Sequence, residues 1–301
     1  MREVRRHLPL YAMMLPGLLY ILINNYLPLI GLQIAFKKFN YALGVFSSHW
    51  VGLKNFTFLI KTSDAWVIFR NTLGYNALFI VLGTIFSIAI AIFLNEIRQR
   101  AIRQVYQTAI LVPFLISYVV VSYIAFAFLS PTNGTINNSI LRPLGLPAVS
   151  WYTEPAYWPY ILVIVNIWKT FGYSSIIYFA TIVGIDKTLY EAAYVDGANT
   201  REQIRYVTLP MLKPAVITLT LLSIGRIFYS DFGLFYQVPM NTGLLYQATN
   251  TIDTYVYRGL LELNDIGRSS AAGFMQSVLG FLMVFSANEI VKKIEKDNAL
   301  F

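Results

Sequence analysis

Leu73-Gly74-Tyr75-Asn76-Ala77-Leu78-Phe79-Ile80-Val81-Leu82-Gly83-Thr84-Ile85-Phe86-Ser87-Ile88-Ala89-Ile90-Ala91-Ile92-Phe93-Leu94-Asn95 contains no charged side chain. A helix needs roughly 20 apolar residues to cross about 30 Å of hydrocarbon, and this run is long enough to do so. Further stretches near 10-36, 107-130, 158-184, 212-235 and 268-291 meet the same requirement, with charged or turn-rich connections between them. The expected fold class is all-α: a polytopic membrane protein with six transmembrane helices, forming a single transmembrane domain over 1-301.

Composition agrees. Of 301 residues, 56% are hydrophobic and 13% charged, whereas a soluble domain carries about a quarter charged residues. The 21 Tyr, 21 Phe and 5 Trp are abundant enough to supply an aromatic belt where bilayer meets water. The net charge of +8 is compatible with nucleic acid, anionic lipid or topology signals, but the basic residues stand mostly between apolar runs, which favours topology. There is no Cys, and the two His, His7 and His49, are far apart, so neither thiol chemistry nor a His metal site is expected. The basic start Met1-Arg2-Glu3-Val4-Arg5-Arg6-His7 resembles a signal peptide, but the apolar run from Leu8 to Phe36 is too long for one and reads as a retained span.

Lys and Arg set the orientation. Three precede span 1, three lie between spans 2 and 3, four between spans 4 and 5 including Lys213, and three follow span 6; these segments mark the cytoplasmic side. The connections 131-157 and 236-267 carry only Arg142 and Arg258. Both termini are therefore expected in the cytoplasm. Residues 37-72 run against this count with Lys37, Lys38, Lys54, Lys61 and Arg70; there Phe56, Leu59, Ile60, Trp66 and Phe69 suggest an interfacial helix, and Trp50, Trp66, Trp151 and Trp158 fall on the outer side as a belt.

The connection after span 4, residues 186-211, reads as two short helices. Thr188 with Glu191, and Asn199 with Glu202, have the spacing of capping boxes, and Gly197 between them is a natural break. Leu189, Ala192 and Ala193 share one face. Spacing alone leaves open whether that face docks a partner or lies on lipid headgroups.

Glu191-Ala192-Ala193, Asp196-Gly197-Ala198 and Leu209-Pro210 together resemble the loop signature of binding-protein-dependent ABC transporter permeases. Pro16-Gly17, Tyr26-Leu27-Pro28, Gly31-Leu32-Gln33-Ile34-Ala35-Phe36, Gly52-Leu53-Lys54-Asn55-Phe56, Asn71-Thr72 and Leu300-Phe301 are similar to the polysaccharide-type sugar permease branch. The resemblance implies the architecture of a type I ABC importer permease in the bacterial cytoplasmic membrane, forming half of the pathway for a saccharide, with an oligosaccharide the expected solute. It implies that the 186-211 loop is a coupling helix seated on the ATPase, and that the partners are a second homologous permease, two cytoplasmic ATPase subunits and an extracellular or periplasmic solute-binding protein. A phosphate-cradling GxxxxGK[ST] run is missing from the chain. No catalytic, metal or cofactor site is expected here, and ATP and Mg are assigned to the partner ATPase.

Lys169, Arg226 and Asp231 fall inside the expected spans, where ionisable groups normally face a cavity or a partner charge. With Trp168, Tyr173, Tyr229 and Phe232 they form a candidate solute pathway, because sugar rings stack on aromatic planes while hydroxyls need polar partners. The same residues are compatible with snorkelling, structural bracing or packing. Other functions compatible with the chain are a permease for a non-sugar solute and, with no clustered carboxylates or His to support it, an integral membrane enzyme; no nucleic-acid partner is expected.

Overall fold

In the computed structural model, the described residues run from His7 to Ile294. Arg2, Arg5, Arg6, Lys296 and the closing Leu300-Phe301 lie outside them. In chain order, α1 (Leu8–Ile21) continues through a π-helical turn (Leu22–Tyr26) into a 3-10 helix (Leu27–Phe36). There follow β1 (Lys37–Lys38), α2 (Gly44–Ser47), β2 (His49–Trp50), α3 (Thr57–Lys61), α4 (Ser63–Glu96), α5 (Arg100–Leu115), α6 (Tyr118–Leu129) and α7 (Trp158–Val183). Then come α8 (Lys187–Val195), α9 (Thr200–Gln203), a π-helical segment (Ile204–Thr208), α10 (Leu209–Ile224), α11 (Tyr246–Thr249), α12 (Ile252–Leu261) and α13 (Ile266–Ile294).

Five continuous helical stretches are long and apolar enough to cross a membrane: Leu10–Phe36, Ser63–Glu96, Pro155–Val183, Thr200–Ile224 and Ile266–Lys293. The pair α5 and α6, bent by 94°, makes a sixth crossing if taken as one span. Three boundaries differ from the sequence expectation. The second span starts at Ser63 rather than 73, because nothing between Asp64 and Arg70 breaks the helix; Trp66 and Phe69 therefore belong to α4, and the separate interfacial helix shrinks to α3. The third is not one helix: α5 runs two residues beyond Pro113 and stops, Ile116 and Ser117 are extended, and Ser117 caps α6 by accepting from Val120 N. The fifth ends at Ile224. Phe228, Tyr229, Phe232, Phe235 and Tyr236 keep the sequence apolar past that point, but Gly225, Ser230 and Gly233 interrupt the helix, and Asp231 precedes a π-helical turn, Gly233–Gln237.

The chain forms two compact units, one comprising the segment up to Thr62 with Val256–Met275, the other Ser63–Tyr255 with the segment from Gln276. In the first, β1 and β2 pair antiparallel, Lys37 opposite Trp50 and Lys38 opposite His49. Asn55 Nδ2 donates to the Ala35 and Lys37 carbonyls, and Phe36, Phe56 and Phe274 form a ring cluster with centroids 5.2 to 6.0 Å apart. Lys37 is only 2% exposed; its ammonium donates to the Val45 and Phe46 carbonyls and lies 4.9 Å from the Trp50 ring. One of the five basic residues that run against the topology count is therefore an internal strut.

The second unit is built on α4 and α7, with a core of Tyr75, Val121, Leu129, Trp158, Leu162, Leu234, Phe235 and Leu245. Gly172 lets α5 approach α7, since a Cβ there would run into the Ile110 carbonyl; small residues commonly permit such contact between membrane helices. Buried polar groups tie loops to helices: Tyr75 Oη donates to Ala248 O, Asn71 Nδ2 to Gln247 O and Asn250 O, and Thr72 Oγ1 accepts from Ile252 N. Trp158 is fully buried and donates to Trp151 O, while Trp151 Nε1 donates to Asn137 Oδ1. These two tryptophans are core and loop staples rather than belt residues; Trp50 and Trp66 are exposed.

Candidate functional site

Two regions carry the expected site residues: the 186-211 loop and an internal cavity of the second unit. In the loop, Asp186 rather than Thr188 starts α8. Its carboxylate accepts from Thr188 N at 2.9 Å, and that backbone N–H holds the carboxyl below its ordinary value. The expected Thr188–Glu191 capping box is thus replaced by an Asp cap two residues earlier, because Asp186 takes the extended backbone of an N-cap.

The end of α8 is a Schellman motif: Ala198 N donates to Ala193 O at 2.9 Å and Gly197 N to Tyr194 O at 3.0 Å. Gly197 has φ +85°, a left-handed conformation that glycine adopts without a Cβ penalty. Immediately after it, Asn199 and Glu202 form the capping box that the spacing predicts, Asn199 Oδ1 accepting from Glu202 N and Glu202 Oε2 from Asn199 N. Tyr190 Oη and Thr208 Oγ1, 2.9 Å apart, link α8 to the π-helical segment. Glu191, Ala192, Asp196 and Gly197 are exposed, and Ala193 and Ala198 half-buried. Leu189, Tyr194, Val195 and Tyr206 present an exposed apolar surface beside them. Leu209-Pro210 lies where the π-helical segment passes into α10, Leu209 N still donating to Ile204 O.

The cavity has a volume of 620 Å³ and is lined by α4, α7, α10 and the segment after α10. Asn76, Gly83, Thr84 and Ser87 come from α4; Asn166, Thr170, Tyr173 and Ser174 from α7; Ser223, Arg226, Tyr229, Ser230 and Asp231 from the third wall. The last wall is pinned. Asn76 Nδ2 donates to the Ile227 and Tyr229 carbonyls, Ser230 N and Oγ both donate to Asp253 Oδ2 at 2.7 Å, and Gln276 Nε2 donates to Phe228 O and to Asp253. Tyr173 stacks on Phe114 at 4.7 Å, and the Tyr229 hydroxyl bonds with Ser277 Oγ.

Of the sequence-predicted pathway residues, Tyr173, Arg226, Tyr229 and Asp231 are brought together here, while Trp168, Lys169 and Phe232 are not among the lining side chains. Phe232 stacks on Tyr236. Lys169 is 7% exposed, and its ammonium donates to Pro113 O at 3.2 Å, Phe114 O at 2.9 Å and Ile116 O, with the Tyr118 ring 4.8 Å away. These are carbonyls at the C-terminus of α5, where Pro113 O also accepts from Ile116 N at 3.3 Å, and they carry the negative end of the helix dipole. Lys169 thus closes one helix and steadies the bend into the next.

Sequence reasoning passed over the uncharged polar lining. Asn166, Thr170 and Ser174 are four apart, and Thr84 and Ser87 three apart, which is one-face spacing on a helix. A search for polar side chains at that spacing within apolar runs would have found both stripes.

Residues 80–296 match the family described as "Binding-protein-dependent transport system inner membrane component". The chain belongs to this family. The permease is 33% identical to Protein LplB of Bacillus subtilis over 99% of its own length and 92% of that protein's. It is also 33% identical to the Polygalacturonan/rhamnogalacturonan transport system permease protein YteP of Bacillus subtilis, over 96% and 89% of the two chains. Among solved structures, it superposes with TM-score 0.89 and 33% identity, covering 98% of both chains, on a bacterial ABC transporter involved in the import of the acidic polysaccharide alginate. The permease is thus a multi-pass, all-helical component of the inner (cytoplasmic) membrane and a transport subunit rather than an enzyme, and ATP hydrolysis belongs to the ATPase of its transport system.

Proposed function

We propose that the permease forms half of a translocation pathway for a saccharide, an oligosaccharide in particular, beside a second homologous permease and above two cytoplasmic ATPase subunits. Solute arrives from a binding protein on the outer face, and both termini are cytoplasmic. One observation supports the solute class above the rest: beside Arg226 and Asp231, the cavity carries neutral hydroxyl and amide side chains from α4 and α7, with the rings of Tyr173 and Tyr229 among them. Hydroxyl and amide donors and acceptors satisfy sugar hydroxyls, and aromatic planes accept the C–H faces of the rings. The relatives named for transport of polygalacturonan/rhamnogalacturonan and of arabinooligosaccharides are in keeping with this reading.

The 186-211 loop, with Glu191, Ala192, Ala193, Asp196, Gly197, Ala198, Leu209 and Pro210, is the proposed ATPase seat. Its helices are capped from within and its apolar side chains are exposed, so it presents a preformed surface. The test is uptake of labelled oligosaccharides by proteoliposomes of the assembled transporter. Asn166→Leu is expected to lower uptake about tenfold, the cost of leaving one sugar hydroxyl unpaired, and Ala193→Trp to abolish it while the protein stays in the membrane. Unchanged uptake in Asn166→Leu removes the cavity from the pathway, and normal uptake in Ala193→Trp removes the loop from the coupling.

A further inference from the structure

The first unit contains a second cavity, of 390 Å³, and its lining is basic: Lys38, Lys54, Lys61 and Arg268, with Val51 and Phe58 beside them. Arg268 pairs with Asp265 at 3.3 Å. Among the described residues, Lys38, Lys54 and Lys61 have no carboxylate within ion-pair distance, and all three are exposed. Three like charges around one cavity repel one another, and an anion inside it relieves that repulsion. The cavity lies at the end of α1 and its 3-10 extension remote from Leu8, next to the start of α13, and so at one end of two membrane-length helices. Tyr41, Phe46, Trp50 and Leu53 of the same segment are exposed large side chains. Aromatic rings of this kind settle at headgroup level. The apolar patch and the basic cavity thus occupy one short stretch, as expected of a surface that meets both acyl chains and phosphates.

We propose that this cavity binds the phosphate of an anionic phospholipid headgroup, held by Lys38, Lys54, Lys61 and Arg268, with the acyl chains running past Val51 and Phe58. The site accounts for three of the five basic residues that run against the charge count, Lys38, Lys54 and Lys61: they are retained to anchor the first unit to lipid. It does not depend on which solute the permease carries.

The experiment is native mass spectrometry of the intact transporter released from detergent and titrated with dioleoyl phosphatidylglycerol. Parallel titrations use dioleoyl phosphatidylcholine, inorganic phosphate and an oligogalacturonate. The wild type is expected to retain phosphatidylglycerol in preference to phosphatidylcholine. Each surface cation near an anionic lipid is worth roughly fivefold in affinity, so the Lys38→Gln/Lys54→Gln/Lys61→Gln variant should bind it more than about tenfold more weakly. The intact mass of the complex in the same spectrum reports that the variant has folded and assembled. Identical phosphatidylglycerol titrations for wild type and variant, or equal retention of the two lipids, overturn the proposal. So does lysine-dependent binding of oligogalacturonate or free phosphate that phosphatidylglycerol does not displace, which would make the cavity a site for soluble anions.

Discussion

A lysine in the middle of an apolar helix costs free energy unless its charge is matched, and Lys169 is matched by three backbone carbonyls rather than by a carboxylate. The contact joins α7 to the C-terminal end of α5, so removing the ammonium takes a donor from each of those carbonyls. Lys169→Met is expected to destabilise the permease by about 1–3 kcal/mol, the range for unsatisfied buried groups, read as a lowered midpoint in thermal unfolding of the detergent-solubilised transporter. Lys169→Arg should retain part of that stability. Cysteines test the same distinction: at positions 226 and 231, which line the cavity, they should react with a small water-soluble thiol reagent at a rate that solute alters, whereas a cysteine at 169 should stay unreactive. Reaction at 169 comparable to that at 226 would return Lys169 to the pathway. At Gly197 a Cβ would meet no heavy atom within 4 Å, yet φ is +85°, so any penalty comes from the backbone. Gly197→Val should cost about 1–2 kcal/mol locally and abolish uptake, with Gly197→Asn milder because asparagine visits this conformation more readily.

Among the elements, the bend between α5 and α6 illustrates how far pattern reading reaches. Pro113 is the visible signal, yet the helix passes through it and stops two residues later, where Lys169 takes the carbonyls. Pro113→Ala should therefore leave the break in place, with uptake within about twofold of wild type; a straightened helix would show as gross loss of transport. Long apolar runs made α4, α7 and α13 legible, because crossing hydrocarbon demands length and few charges. The end of α10 was not legible, since the aromatic run after Ile224 is as apolar as a span and only the geometry of Gly225 and Gly233 separates the two. For Gly233 the reason is spatial: a Cβ there would overlap the Tyr118 ring, a contact between segments far apart in sequence. The loop caps divided in the same way. Asn199 and Glu202 satisfy each other locally and could be read from spacing, whereas Thr188 yielded to Asp186, a better acceptor placed two residues earlier. Asn199→Ala should cost about 1 kcal/mol of local stability and lower coupled ATP hydrolysis. Because the Asp186 carboxyl is depressed, its cap is complete above the ordinary aspartate value of about 3.9 and is lost as the pH falls through the lower folded value. Acid should therefore loosen the start of α8 only at strongly acidic pH, which hydrogen exchange of the Thr188 amide would report.

Considered as a whole, the permease carries a polar cavity among apolar helices and a loop outside them, and its sequence holds no phosphate-binding run. The purified chain is expected to hydrolyse no ATP, activity appearing only when ATPase subunits are added; turnover by the isolated chain would contradict its place in the family. The two regions are joined by α7 and α10, which each line the cavity and flank the loop. A displacement of the loop is thereby a displacement of two cavity walls.

Between the C-cap Asp196 and the N-cap Asn199 stand only Gly197 and Ala198, and the N–H groups of both close α8. The elbow has no slack. It behaves as a gear tooth of fixed pitch rather than as a tether, since any added residue must open either the glycine turn or the capping box. One alanine inserted after Gly197 is therefore expected to let ATP hydrolysis proceed while solute transport stalls, an idling engine with its clutch disengaged. The same insertion after Gly145, in an exposed turn, should leave the two in step.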